Sequence, residues 1–202
     1  MKKIYKKILC VALLCGAINS ANAINHAKNF EIYGYIMQFL PAFVAIYPLA
    51  TQDFEGLGWL ALSTGSALGA TFIIKYSFYG IAKKNPNAAR ISQRPNNGAF
   101  DGFPSGHTAS AFVAAGFAQK RYGNALGIPC LILALLTGAS RVVAEKHTIL
   151  QVLGGAILGY ALGYFITQRD LSVNLIIGES SAKPINSQQD LSNYRIQITY
   201  RF

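Results

Sequence analysis

The chain has 202 residues, the length of one domain, of which 52% are hydrophobic and only 13% charged. A water-soluble domain carries about 25% charge, so much of this protein's surface cannot face water. The net charge of +10 would point to nucleic acid in a soluble protein. Here Lys and Arg gather at the ends of apolar blocks, where they set orientation or meet anionic headgroups, and no nucleic-acid partner is expected. The blocks are long enough to cross a bilayer, so the fold class is all-α: a polytopic bundle of about five transmembrane helices.

Residues 1–23 read as a secretory signal. Lys2, Lys3, Lys6 and Lys7 form a basic start, residues 8–18 an apolar core, and Ala21-Asn22-Ala23 a small-x-small cleavage site. An uncleaved first helix is the alternative, and either leaves residue 24 outside the cytoplasm. Cys10, Cys15 and Cys130 lie in apolar runs and form neither a disulfide framework nor a zinc pattern.

The membrane domain is expected over 24–169, with spans at 30–50, 56–79, 105–119, 124–143 and 149–167. Pro41 and Pro48 are expected to kink or end the first. Residues 80–102 are the longest polar stretch before the tail. Gly155, Gly159 and Gly163 fall four apart, on one face of the last span, as close helix packing in membranes requires. With residue 24 outside, the basic pair Lys120-Arg121 and Arg169 fall inside, as the positive-inside rule prefers. Arg94, His107, Arg141 and His147 then share the outer face, and Lys75 reaches it from the end of its span. Residues 170–202 form a separate tail. Alternation over 171–175 and 195–202 leaves a small hairpin or a loosely ordered tail open.

Two of the chain's three histidines, His107 and His147, stand at the edges of apolar runs with small polar residues or cations beside them. Hydrolysis of a phosphate ester needs fixed positive charge on the phosphoryl oxygens, an in-line nucleophile and an acid for the leaving oxygen. Arginine suits the first task because its fork matches two oxygens and never deprotonates. Histidine suits the other two because its charge changes near neutral pH. Pro104-Ser105-Gly106-His107 opens a helix, where backbone N–H groups cradle an anion and Gly106 permits close approach.

In these residues the chain resembles the type 2 phosphatidic acid phosphatase (PAP2) family, which shares its site with vanadium haloperoxidases. Pro104-Ser105-Gly106-His107 matches one family motif in full. Ser140-Arg141 followed after five residues by His147 matches a second, and Arg94-Pro95 part of a third. The resemblance covers roughly residues 30–167. It implies that His147 attacks phosphorus and forms a phosphohistidine, and that His107 protonates the leaving oxygen. It further implies that Arg94, Arg141 and a lysine hold the phosphoryl oxygens, with Ser105 and the Gly106 N–H assisting, and that no metal or other cofactor is needed.

Two positions depart from the family pattern. Asn87 stands where the family has Lys. Lys75 is the best candidate for that role, with Lys84 and Arg90 as alternatives. Gln151 stands where the family has an Asp that orients the nucleophilic imidazole; an amide can orient but stabilises imidazolium less well. Similar departures occur among bacterial members that dephosphorylate lipid A, and the layout resembles that subgroup. The expectation is a multi-pass enzyme of a bacterial inner membrane, its site facing the periplasm, acting on a bilayer-anchored lipid phosphate. Phosphotransfer from a polyprenyl diphosphate, undecaprenyl pyrophosphate hydrolysis and a catalytically impaired lipid-phosphate-binding protein are the alternatives.

Overall fold

The computed structural model describes residues 26–169, 171–177 and 194–200. The expected signal segment, 1–23, lies outside them. Helices α1 (His26–Met37) and α2 (Leu40–Ala50) are one apolar segment broken at Gln38–Phe39 and bent by 44°. Pro41 causes the break. It has no N–H to donate and its ring clashes with the carbonyl four residues back, so the helix restarts with Pro41 in its first turn. Pro48 stays inside α2.

Helix α3 (Phe54–Lys84) starts where the Asp53 carboxylate accepts the Gly56 N–H at 2.8 Å. It runs past the span expected at 56–79: residues 80–84 continue the helix, and only then does Asn85 turn to extended backbone. The Asn85 side-chain oxygen, Oδ1, caps a 3-10 segment, Pro86–Ser92, by accepting the Asn87 N–H at 3.1 Å. Helices α4 (Gly106–Tyr122), α5 (Asn124–Val143) and α6 (Ile149–Ile166) follow, close to the expected spans. Strands β1 (Leu171–Ile177) and β2 (Tyr194–Tyr200) pair antiparallel, Leu171 opposite Tyr200. Both alternating segments of the tail are thus strands, joined by a connection far longer than a tight hairpin turn.

Helices α3, α5 and α6 are each long and apolar enough to cross a membrane, and the bent α1–α2 pair makes a fourth candidate span. The expected fifth, α4, has 17 residues and is sheathed by its neighbours: 13 of them are buried. A helix that meets protein on nearly all sides needs no lipid-facing surface, so α4 keeps Ser110 and Arg121 inside. Its closest partner is α6. A Cβ on Gly155, Gly159 or Gly163 would run into the backbone of Ser105, Ala109 or Val113, so the glycine stripe sets the distance at which α6 holds the start of α4. The lipid-facing sides carry residues such as Ile46, Leu62, Ile73, Leu135 and Ile157, all exposed.

The bundle has two polar ends. At one, Lys146 after α5 pairs with Glu31 near the start of α1 at 3.3 Å. At the other, Asp53 accepts from Arg121 Nη2 at 2.6 Å, Arg121 Nε at 3.0 Å and the Tyr122 hydroxyl at 2.8 Å, while Arg121 Nη1 donates to the Gln168 carbonyl at 3.0 Å. Lys120 and Arg121 are expected as a tight basic loop after the span, but α4 runs on through both. Arg121 is 3% exposed, a strut joining the ends of α3, α4 and α6. Lys120 lies over the Tyr164 ring, 4.7 Å from its centroid.

Candidate active site

The loop between the 3-10 segment and α4 is folded around Ser92. Its hydroxyl donates to the Phe100 carbonyl and accepts the Phe103 N–H, both at 3.0 Å, while its carbonyl accepts the Gly102 N–H at 2.7 Å. The Arg94 N–H meets the Ala99 carbonyl at 2.8 Å. This turn brings Arg94 against Asp101: Nε to Oδ1 at 2.6 Å and Nη2 to Oδ2 at 3.1 Å. The Asp101 carbonyl accepts from the Lys75 ammonium. One residue therefore holds both cations, one by its side chain and one by its backbone. Burial acts to raise the Asp101 carboxyl, but the Arg94 fork, with Lys75 nearby, outweighs it and holds the group below its usual range.

His147 sits in the break between α5 and α6. Its N–H bonds to the Arg141 carbonyl at 3.2 Å, and its Nδ1 lies 3.0 Å from Gln151 Oε1. The orientation of that amide is fixed from its far side, where Nε2 donates to the carbonyls of Ile91 and Gln93, both at 2.9 Å. Oε1 also accepts the Thr148 N–H at 3.2 Å within a capping box that starts α6. An oxygen facing Nδ1 requires the proton to be there, so Nε2 carries the free lone pair. Burial pushes the His147 imidazole down to about 4, with the charge of Arg94 adding to the effect and the Gln151 hydrogen bond opposing it. At neutral pH the ring is thus uncharged and held in the tautomer a nucleophile needs.

The same contacts explain why glutamine can serve here. Two backbone carbonyls meet the side-chain terminus, and a carboxylate would offer them no donor. The amide does two tasks, orienting His147 and tying α6 to the loop that carries Arg94. Gly102 leaves the room: a Cβ there would meet the Gln151 amide.

His107, in the first turn of α4, packs edge-on against Tyr35 of α1 with ring centroids 5.3 Å apart, and Arg141 Cζ lies 4.6 Å from the same Tyr35 ring. Arg141 is buried. It donates to the Glu31 carbonyl and, through Nε, to the Ser140 hydroxyl at 3.2 Å. Ser105 is the N-cap residue of α4, with no side-chain cap bond. Its hydroxyl accepts from Thr108 at 2.9 Å, which leaves its own proton to donate.

A cavity of about 540 Å³ joins these groups. Lys75, Arg94, Asp101, Gly106, His107 and His147 form its polar end, and it continues along α3 past Thr71 and Leu68 to Thr64, with Phe39 and Pro41 from the α1–α2 break opposite. The structure thus brings together five of the expected residues. Of the three basic candidates for the lysine role, Lys75 reaches the cavity, while Lys84 and Arg90 are exposed and do not line it. Ser105, Arg141 and Gln151 stand outside the lining, next to the residues that form it. Sequence reasoning missed Ser92, Tyr35, Thr71 and the holding role of Asp101. Nothing in the local pattern marks a buried serine or an aromatic ring contributed by a distant helix.

Two histidines, Lys75 and Arg94 thus share one cavity at the end of a bundle of helices long and apolar enough to cross a membrane, the residue types that phosphoryl chemistry requires. The family model described as "PAP2 superfamily" matches residues 56–172. A lipid A 4'-phosphatase of Helicobacter pylori (strain J99) is 38% identical over 169 residues, covering 84% of this chain and 85% of that protein. A lipid A 1-phosphatase of the same strain is 28% identical over 137 residues, covering 67% and 70%. No solved structure matches the chain at a significant level. The chain belongs to the PAP2 superfamily and is a multi-pass membrane phosphatase.

Proposed function

We propose that the protein removes a phosphate from lipid A, the 4'-phosphate first, at the periplasmic face of a bacterial inner membrane, through a phosphohistidine on His147. The observation that carries the mechanism is the Gln151 amide, whose donors to Ile91 and Gln93 leave only its oxygen for His147 Nδ1. His147 Nε2 attacks phosphorus in line, and the P–O bond to the lipid alcohol breaks. His107, whose Nε2 has no partner among the described residues, protonates the departing oxygen. Water, deprotonated by the same imidazole, then cleaves the P–N bond and releases inorganic phosphate. Lys75 and Arg94 neutralise the phosphoryl oxygens, and the buried charge of Arg141 reinforces them from beyond the Tyr35 ring. Support for this substrate comes from the two Helicobacter relatives, both named for lipid A, and from a cavity that continues from the polar end among apolar side chains of α2 and α3.

The orientation rests on alternation. α1–α2, α3, α4, α5 and α6 run up and down in turn, so a start outside puts the ends that carry Lys75, His107 and His147 outside too. The test is phosphate release by purified full-length protein in detergent from lipid A, phosphatidate and a polyprenyl diphosphate. Release from lipid A, with loss of the 4'-phosphate seen by mass spectrometry, is the expected result. Release from the others alone would overturn the substrate reading.

A further inference from the structure

Helix α3 carries two hydroxyls that the phosphatase mechanism does not use. Thr71 is 2% exposed. It lies one helical turn before Lys75 on the same face, about 6 Å along the axis, and Thr64 lies about 10 Å further down. Both line the cavity, and neither side-chain oxygen has a hydrogen-bond partner among the described residues. The usual escape for a helical hydroxyl is a bond back to the preceding turn. Two serines of the same helix take it, Ser63 to the Leu60 carbonyl at 3.1 Å and Ser77 to the Ile73 carbonyl at 2.9 Å. An unpaired buried hydroxyl is destabilising, whereas an apolar side chain of this shape would not be. The Thr71 methyl is in contact range of Gly106, 3.7 Å from where a Cβ would stand there. Thr71 is therefore seated beside the start of α4, between the phosphate end and the apolar end of the cavity.

Resting on the lipid phosphatase reading, we propose that Thr71, with Thr64 beneath it, hydrogen-bonds polar groups on the alcohol side of the scissile ester, so that the enzyme selects acylated sugar phosphates over phosphates of plain hydrocarbon chains. The class follows from position. A hydroxyl one turn from the phosphate-holding lysine meets the first atoms beyond the ester oxygen. In an acylated sugar these carry hydroxyl, ester and amide groups that satisfy it; in a prenyl phosphate they are carbon. The opposite wall carries Gln38 and Ser110; they already donate to the Tyr35 and Gln38 carbonyls, so they add mainly acceptors, before Phe39 and Leu68 turn the cavity apolar.

The test compares an N,O-diacylated glucosamine phosphate with farnesyl phosphate, as the ratio of their kcat/KM values, for the full-length wild type, Thr71→Val and Thr71→Ser. The proposal expects the Val variant to lower the ratio about tenfold or more, the loss falling mainly on KM for the sugar lipid, and the Ser variant to recover most of it. An equal fall on both lipids, or no fall, overturns it while the phosphatase reading stands. Release from farnesyl phosphate but not from the sugar lipid overturns the proposal and the lipid A reading together, and leaves a phosphatase of another lipid. Binding of the sugar lipid to His147→Ala protein, with and without Thr71→Val, decides the matter if turnover is too slow: about tenfold weaker binding supports the proposal and equal binding refutes it. Thr64→Val repeats the comparison should the Thr71 variant not fold.

Discussion

Gln151→Glu tests the tautomer argument most sharply, because it keeps size and removes only the donor. Gln151 is fully buried and makes four polar contacts: two donated by Nε2 at 2.9 Å and two accepted by Oε1, at 3.0 Å from His147 and 3.2 Å from Thr148. An ionised carboxylate keeps the accepted pair and leaves the Ile91 and Gln93 carbonyls without a donor. Ile91 and Gln93 are themselves exposed, so each lost bond is worth about 0.5–1.5 kcal/mol, and the variant loses about 1–3 kcal/mol before any repulsion between oxygens. Burial raises the introduced carboxyl's pKa, and when protonated it supplies one of the two lost donors. A group with a raised pKa in the folded state contributes stability at low pH and loses it as pH rises. The variant's thermal midpoint in detergent should therefore fall from about pH 5 to about pH 8, where the wild type's should not. Loosening of His147 and of the Arg94 loop should lower kcat/KM by about 10²-fold at pH 8. A variant as stable and as active as wild type at that pH would refute the claim that the amide's donors position the nucleophile.

The depressed pKa of His147, about 4, sets the acid limb of activity. The imidazole is nucleophilic only when neutral, so kcat/KM should hold on acidification and fall as pH drops through about 4; an acid limb near the ordinary histidine value, about 6.5, would contradict the burial argument. Arg121→Ala removes the cation from the partly exposed Asp53 carboxylate, which keeps the Gly56 and Tyr122 hydrogen bonds, and losing the charge-assisted bonds should cost about 1.5–3 kcal/mol, read as a lower thermal midpoint with the residues around the cavity untouched.

The helices were legible because each is an uninterrupted apolar run bounded by polar or turn residues; α5 matched to the residue. The break before Pro41 was readable from proline chemistry, although the size of the bend was not. The length of α3 was not readable, since Gly80 and the lysines after it read as a stop, yet the helix runs on to Lys84. His107 and His147 were found because motif spacing survives without a structure. Lys75 stands 19 residues before Arg94, and only the fold shows that it, and not Lys84 or Arg90, turns into the cavity. Gln151 looked like a defect when compared with an aspartate. It makes sense only beside the two carbonyls of a loop some 60 residues away in sequence, a contact no local pattern carries. Arg121 misled for the reverse reason: a basic pair between spans reads as a loop, and its acidic partner lies 68 residues away.

The central claim is that His147 carries the phosphoryl group during turnover. Rapid quenching of the enzyme with a ³²P-labelled lipid phosphate, followed by peptide mapping, measures this directly. The account predicts a transient phosphate on His147 that is labile in acid and stable in alkali, and no label in His147→Asn protein. Full phosphate release in a single turnover with no label on His147 at any time, or turnover retained by His147→Asn, would contradict it.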